Sequence, residues 1–224
     1  MPAAPPVPFS PLVERAIELA AEWHDGTFRK GRWRPEPFAC PPGEVVRVPT
    51  MAHVTTVALT VQRAGWDDET VAAAFLHDAI EDENRYGKTL TPERLAAEVG
   101  ARVTEIVLAV TEPKRDADGA WLPWRVRKEA YLARLAAGPP GAAAVALADK
   151  THNAFSIASS LEAGVDVFSS APGRTALSAD GEAQLWFLRA ARATTAPHAD
   201  PRLDALRAQL DAGIERLARL VQNG

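Results

Sequence analysis

Hydrophobic positions along the chain fall mostly at helical spacing. Leu12, Ala16, Ile17, Leu19, Ala20 and Trp23 share one face, preceded by Ser10-Pro11 and followed by Asp25-Gly26. This predicts a first helix with a serine cap and proline in its first turn. Residues 51–63 predict a second helix, and a third is capped by Asp67 or Asp68 and runs through the VAAAFLHDAI stretch. Thr91-Pro92 opens a further helix that Gly100 closes. The apolar run at 102–111 is rich in β-branched residues and fits strand or helix. Residues 124–137 are amphipathic and stop at Gly138-Pro139-Pro140. Helix is predicted over about 141–161, a loop over about 162–178, and two helices near 179–195 and 201–221.

Two segments depart from this pattern. The first ten residues hold four prolines and predict a disordered lead-in over 1–10. Residues 27–49 are basic, aromatic and carry five prolines, which forbids a continuous helix. They predict an elaborated loop, with Val45 to Val48 as a short strand or one arm of a β-hairpin in a 31–49 insertion. No repeat period appears. The expected architecture is one all-α domain, with a core over 11–195 and residues 196–224 as a C-terminal helix packed on it.

Composition narrows the function classes. The 224 residues carry 25 Lys+Arg against 29 Asp+Glu, a formal net charge of −4. That balance argues against a general binder of nucleic acid or of a membrane surface. The single cysteine, Cys40, cannot form an internal disulfide. MPAAPPVPFS lacks the basic and apolar regions of a signal peptide, and no apolar run reaches the roughly 20 residues of a membrane span. A cytoplasmic protein is expected.

Chemistry concentrates in FLHDAIED, where an apolar lead-in delivers His77, Asp78, Glu81 and Asp82 within six positions. Buried charge is costly unless it is paired or bound to metal. On a continuing helix Glu81 would lie one turn beyond His77, and Asp82 one turn beyond Asp78. Imidazole beside carboxylate suits a divalent transition metal. The plainer reading is a helix end emerging into solvent. His53 sits among apolar neighbours, where a hydrogen-bonded core histidine is the ordinary outcome. Asp149 ends the small-residue run AAAVALA, with a metal or Lys150 as its partner.

Taken together, AHVTTVA, AAAFLHDAIED and ALADKTHN give the order H…HD…D. This resembles the HD-domain metal-dependent phosphohydrolases, most closely the hydrolase domain of the RelA/SpoT alarmone enzymes and the stand-alone small alarmone hydrolases. EVGARVTEIVLAVTE and WRVRKEAYLARL also fit that family. The resemblance implies His53, His77, Asp78 and Asp149 as metal ligands, with Mn²⁺ the expected ion and another divalent transition metal the alternative. It implies Glu81 and Asp82 as the acidic pair that handles the attacking water. Arg29, Lys30, Asn153 and Ser156 are implied substrate contacts.

The implied reaction removes the 3′-pyrophosphate of ppGpp or pppGpp. The alternatives are another nucleotide (a 5′-monophosphate or the 2′-phosphate of NADPH) and a nucleotide-binding regulator without turnover. The partner is a small nucleotide, with no nucleic acid or membrane; a homo-oligomer is compatible with the sequence. Arg125, Arg127 and Lys128 are expected on a solvated helix face, and His24, His152 and His198 toward solvent. The longer connection between Lys30 and His53 departs from the family pattern. So does the late helix, where Trp186 is the nearest candidate for a base-stacking aromatic.

Overall fold

Ser10 caps the first helix as its sequence requires, its Oγ accepting the Val13 N–H at 3.4 Å. The computed structural model of the protein describes residues 8–34, 46–81, 83–171 and 175–222. Most of the predicted lead-in, Cys40 and Asp82 lie outside the described residues. In chain order the elements are α1 (Pro11–Trp23), β1 (Phe28–Arg34), β2 (Val46–Pro49), α2 (Thr50–Arg63), α3 (Asp68–Leu76) and α4 (Pro92–Val99). They continue as α5 (Ala101–Ala109), α6 (Trp124–Ala137), α7 (Pro140–Glu162), α8 (Gly181–Thr194) and α9 (Arg202–Gln222). The expected helical bundle is present, and the ambiguous apolar run is helix α5.

Asp67, Thr91 and Asp180 repeat the capping chemistry of Ser10 at the starts of α3, α4 and α8. Gly100, at φ 88°, ends α4 and opens α5; a left-handed backbone there requires glycine. The expected hairpin is also present. β1 pairs antiparallel with β2, with Phe28 opposite Pro49 and Arg34 opposite Val46, and an irregularity between Phe28 and Trp33. It starts earlier than expected, so Arg29 and Lys30 stand on a strand rather than in a loop.

Helix α7 runs through the centre. Ala142 to Ala148 are all buried, and their short side chains let α2, α3 and α9 pack close around them. Gly141 marks a close approach at the start of α7, where an added Cβ would meet Thr70 Oγ1 at 3.0 Å and Ile106 Cδ1 at 3.0 Å. Helix α9 buries Leu203, Leu206, Leu210, Ile214 and Leu217 at helical spacing. Each such side chain contributes about 1.5–3 kcal/mol of transfer free energy. Gly213 sits over Ala154 of α7, and Arg216 pairs with Glu162 where the two helices part.

Candidate metal centre and its pocket

Helix α3 stops at Leu76, not at Ile80 as the apolar pattern suggested. His77 is its cap residue, and the chain continues as turns through Glu81. His77 itself stabilises the stop. Its Nδ1 donates to the Ala74 carbonyl at 2.8 Å, which leaves Nε2 as the ring nitrogen that meets His53, Asp78 and Asp149. The expected helical stacking of Glu81 on His77 is therefore replaced by a turn.

Three segments then meet. His53 comes from the first turn of α2, His77 and Asp78 from the end of α3, and Asp149 from the middle of α7. The two imidazole Nε2 atoms lie 3.2 Å apart. Asp149 Oδ1 is 3.2 Å from His53 Nε2 and 3.7 Å from His77 Nε2. Asp78 approaches the same atoms, with Oδ1 3.3 Å from His77 Nε2 and Oδ2 3.7 Å from His53 Nε2. Donors held at about 2.0–2.2 Å from one ion sit roughly 3.0–3.5 Å from each other. His53, His77 and Asp149 thus have the donor chemistry and mutual spacing of one divalent metal site, with Asp78 beside the two imidazoles. His53, His77 and Asp149 are all buried, and their donor atoms lie within 4.8 Å of one another.

Electrostatics within the cluster are uneven. Burial, then the Arg29 guanidinium, push His53 down to about 3. The same burial opposes charge on His77, but the Asp78 and Asp149 carboxylates outweigh it and push His77 up to about 9. Asp149 is held well below the usual carboxylate range. Its burial penalty is overcome by Lys150, whose Nζ donates to Oδ2 at 2.6 Å, and by the two histidines. The metal and the ion-pair readings of Asp149 thus coexist, with Oδ2 on Lys150 and Oδ1 facing the imidazoles.

His152 was expected at the surface. Instead its Nδ1 lies 2.7 Å from His53 Nδ1, with Ser156 Oγ 3.4 Å away. For His53 Nε2 to face a cation, its proton must sit on Nδ1 and be donated to His152. Burial, then Arg29, push His152 down to about 4, keeping it a neutral acceptor. The sequence clue was its place three residues after Asp149, on the same face of α7. His24 is likewise buried rather than solvent-facing.

The two carboxylates of the cluster, Asp78 and Asp149, line the floor of a cavity of about 570 Å³, with the imidazoles buried behind them. Arg29 and Lys30 border it from β1, and Asn153 and Ser156 from α7. Arg29 is 3.9 Å from Asp78 and also donates to Asn153 Oδ1. Asn153 Nδ2 in turn donates to Asp149 Oδ1 at 2.7 Å, so this amide links the basic strand to the floor. Glu81 stands on the wall, accepting the Glu112 N–H at 3.2 Å with Lys114 Nζ 3.5 Å from its other oxygen.

The basic cluster of α6 corrects the expectation of a wholly solvated face. Arg125 is exposed and pairs with Glu129 at 2.8 Å. Arg127 and Lys128 turn inward, clasp the buried Glu112 and line the cavity. Burial lowers Lys128 despite that carboxylate. Trp186 packs against Trp124, under the Arg125 guanidinium 3.2 Å from its centroid, and is not part of the cavity lining.

A helical bundle with His, His-Asp and Asp converging on one point defines the class. Residues 43–170 match the HD domain family model, and the chain belongs to that family. Among curated relatives, it is 31% identical over 141 residues to guanosine-3′,5′-bis(diphosphate) 3′-pyrophosphohydrolase of Haemophilus influenzae. That alignment covers 60% of this chain and 17% of the relative. It is 34% identical over 100 residues to the protein of the same name from Aquifex aeolicus, over 45% of this chain and 12% of the relative. The chain therefore spans less than a fifth of either curated relative. A solved structure described as a metazoan ortholog of SpoT that hydrolyzes ppGpp shares the fold, with TM-score 0.58, 22% identity and 99% of each chain covered.

Proposed function

We propose that this protein hydrolyses the 3′-pyrophosphate of ppGpp and pppGpp, releasing GDP or GTP and pyrophosphate. The observation that carries the reading is the four-residue donor cluster opening into a cavity bordered by Arg29, Lys30, Lys114, Arg127 and Lys128. A polyphosphate needs cations around it, and local field outweighs a net charge of −4. The names of the Haemophilus and Aquifex relatives support the same substrate.

His53, His77, Asp78 and Asp149 would hold the metal, with Mn²⁺ as the proposed ion. When bound, a divalent ion supplies Lewis-acid polarisation of a phosphoryl oxygen and acidifies water. The chain's own groups do the rest. Glu81, oriented by the Glu112 N–H and Lys114, takes the proton from the attacking water, with Asp82 as its expected companion. Water adds to the phosphorus next to the ribose 3′ oxygen, the P–O3′ bond breaks, and the departing 3′ oxygen becomes a hydroxyl by taking up the proton that Glu81 removed from the water. Arg29 and Lys30 bind substrate phosphate, and Asn153 keeps Arg29 aligned with the floor. Ser156, buried beside His152 at the cavity border, is a further proposed substrate contact. The catalytic unit is placed at 11–195, with α9 as its buttress, in the cytoplasm where the nucleotide is found. Among the described residues no helix is long and apolar enough to cross a membrane.

The test is a nucleotide panel with product analysis in the presence of Mn²⁺. Pyrophosphate from ppGpp is the expected product. Orthophosphate alone, released from a 5′-monophosphate or from NADPH, would replace this substrate with the other class.

A further inference from the structure

The segment between α5 and α6 folds into a small, well-braced hairpin. Arg115 and Trp121 form an antiparallel bridge, the Asp116 N–H donates to the Ala120 carbonyl at 3.0 Å, and the Leu122 N–H donates to the Lys114 carbonyl at 3.0 Å. Asp116 Oδ1 accepts the Asp118 and Ala120 N–H groups at 3.0 and 2.9 Å, and Arg115 Nη1 donates to the Gly119 carbonyl at 2.8 Å. Such bracing fixes the direction of whatever the hairpin displays. It displays Trp121, which is 62% exposed although it is the largest kind of apolar side chain.

Trp121 borders the same cavity as Asp78 and Asp149. The Arg115 guanidinium lies 4.4 Å from its ring centroid, so a cation covers part of the ring from outside the cavity's floor. Trp121 is the most exposed aromatic group lining the cavity; Phe28, the next, is 38% exposed with the Arg47 guanidinium 4.6 Å from its ring centroid, and the others are engaged. Tyr131 and Phe187 are buried with Lys150 over both rings, and Trp124 packs edge-on against Trp186 and Phe187. Lys114, at the base of the hairpin, reaches Glu81. Phosphates drawn to Arg29, Lys30, Arg127 and Lys128 would leave the base of a nucleotide to find its contact elsewhere on the lining, of which Trp121 is part.

The geometry points to Trp121 as the stacking platform for the base of a bound nucleotide, with Arg115 as its cationic backing. It rests on the nucleotide reading of the site and adds the residue that grips the base. The ligand class is a purine or pyrimidine nucleotide rather than a bare polyphosphate or a sugar phosphate. Stacking on an aromatic side chain is tolerant of base identity. Trp121 therefore supplies affinity for the nucleotide, and discrimination between bases falls to other contacts.

The experiment compares wild type, Trp121→Ala and Trp121→Phe by calorimetric titration with GDP and, separately, with inorganic pyrophosphate, using metal-loaded protein. Trp121→Ala is expected to weaken GDP about tenfold or more, Trp121→Phe to restore most of the loss, and pyrophosphate to bind all three alike. Unchanged GDP affinity in Trp121→Ala overturns the platform. So does an equal loss for pyrophosphate, or a wild type that binds pyrophosphate but not GDP. Turnover separates this inference from the substrate assignment. Failure to hydrolyse ppGpp with GDP binding still dependent on Trp121 removes only the proposed reaction. Hydrolysis of ppGpp with kcat/KM unchanged in Trp121→Ala removes only the platform.

Discussion

Helix α7 has two working surfaces that obey different physics. On one, Asp149, Lys150 and Asn153 hold polar atoms in position through directed contacts of 2.6 and 2.7 Å. On the other, α9 lies along α7 with Leu210, Ile214 and Leu217 buried and Gly213 over Ala154. The first surface depends on the identity and direction of single atoms, because an unpaired buried charge is costly. The second depends on volume and can be refilled by another apolar group of similar size. Damage to the floor should therefore abolish function in a folded protein, whereas damage to the seam should weaken the fold and spare the chemistry.

The sharpest break comes from removing a donor. His77→Ala or Asp149→Ala should lose both divalent metal and turnover, by about three orders of magnitude or more in kcat/KM, with the helical circular dichroism retained. Metal analysis of the purified variants checks this, and full occupancy in either one would remove that residue from the ligand set. Next comes Glu81→Gln, which should keep its metal while kcat falls by about 10²–10⁴. An unchanged kcat would show that Glu81 is not the base.

The seam gives the contrasting result. Leu210, fully buried, should cost about 2–5 kcal/mol on substitution by Ala, read from denaturant midpoints. Metal content and kcat per folded molecule should stay at wild-type values. Loss of metal in that variant would mean that the two surfaces of α7 are one cooperative unit.

A smaller effect concerns pH. His77 carries a proton below about 9, pushed there by Asp78 and Asp149 against its burial. A cation must displace that proton, so binding releases it and affinity rises with pH. The expected slope is about tenfold in metal affinity per pH unit between pH 6 and 8, measured by calorimetry. A flat profile would show that His77 enters the site already neutral. The least effect is expected from Leu210→Met, at under about 1.5 kcal/mol.

Local rules made much of this legible. Caps at Ser10, Asp67 and Thr91 and the helical spacing of α9 follow from side chains within one turn of each other. The H…HD…D order marked the three segments that meet at the floor. Readings that failed depended on partners distant in sequence or on how a helix ends. Nothing adjacent to Arg127 or Lys128 reveals that both turn toward Glu112, 15 and 16 positions away, whereas the exposed Arg125–Glu129 pair is local. The helical period of VAAAFLHDAI continues past Leu76, but the His77 imidazole takes the Ala74 carbonyl and the helix stops. His152 looked unremarkable because its partner, His53, comes from a helix 99 positions earlier.

The pairing of Arg34 with Val46 has a consequence for how this protein can change over time. Whatever chain runs between them leaves and returns at a single point, so its length is decoupled from the positions of Arg29 on one side and His53 on the other. For polypeptide chains in general, joining two paired strand ends costs only about 0.6 kcal/mol more for each doubling of the connection's length. The hairpin is thus a graft site. Segments of different length and sequence can be exchanged there while the catalytic register is kept, for evolution and for the engineer alike.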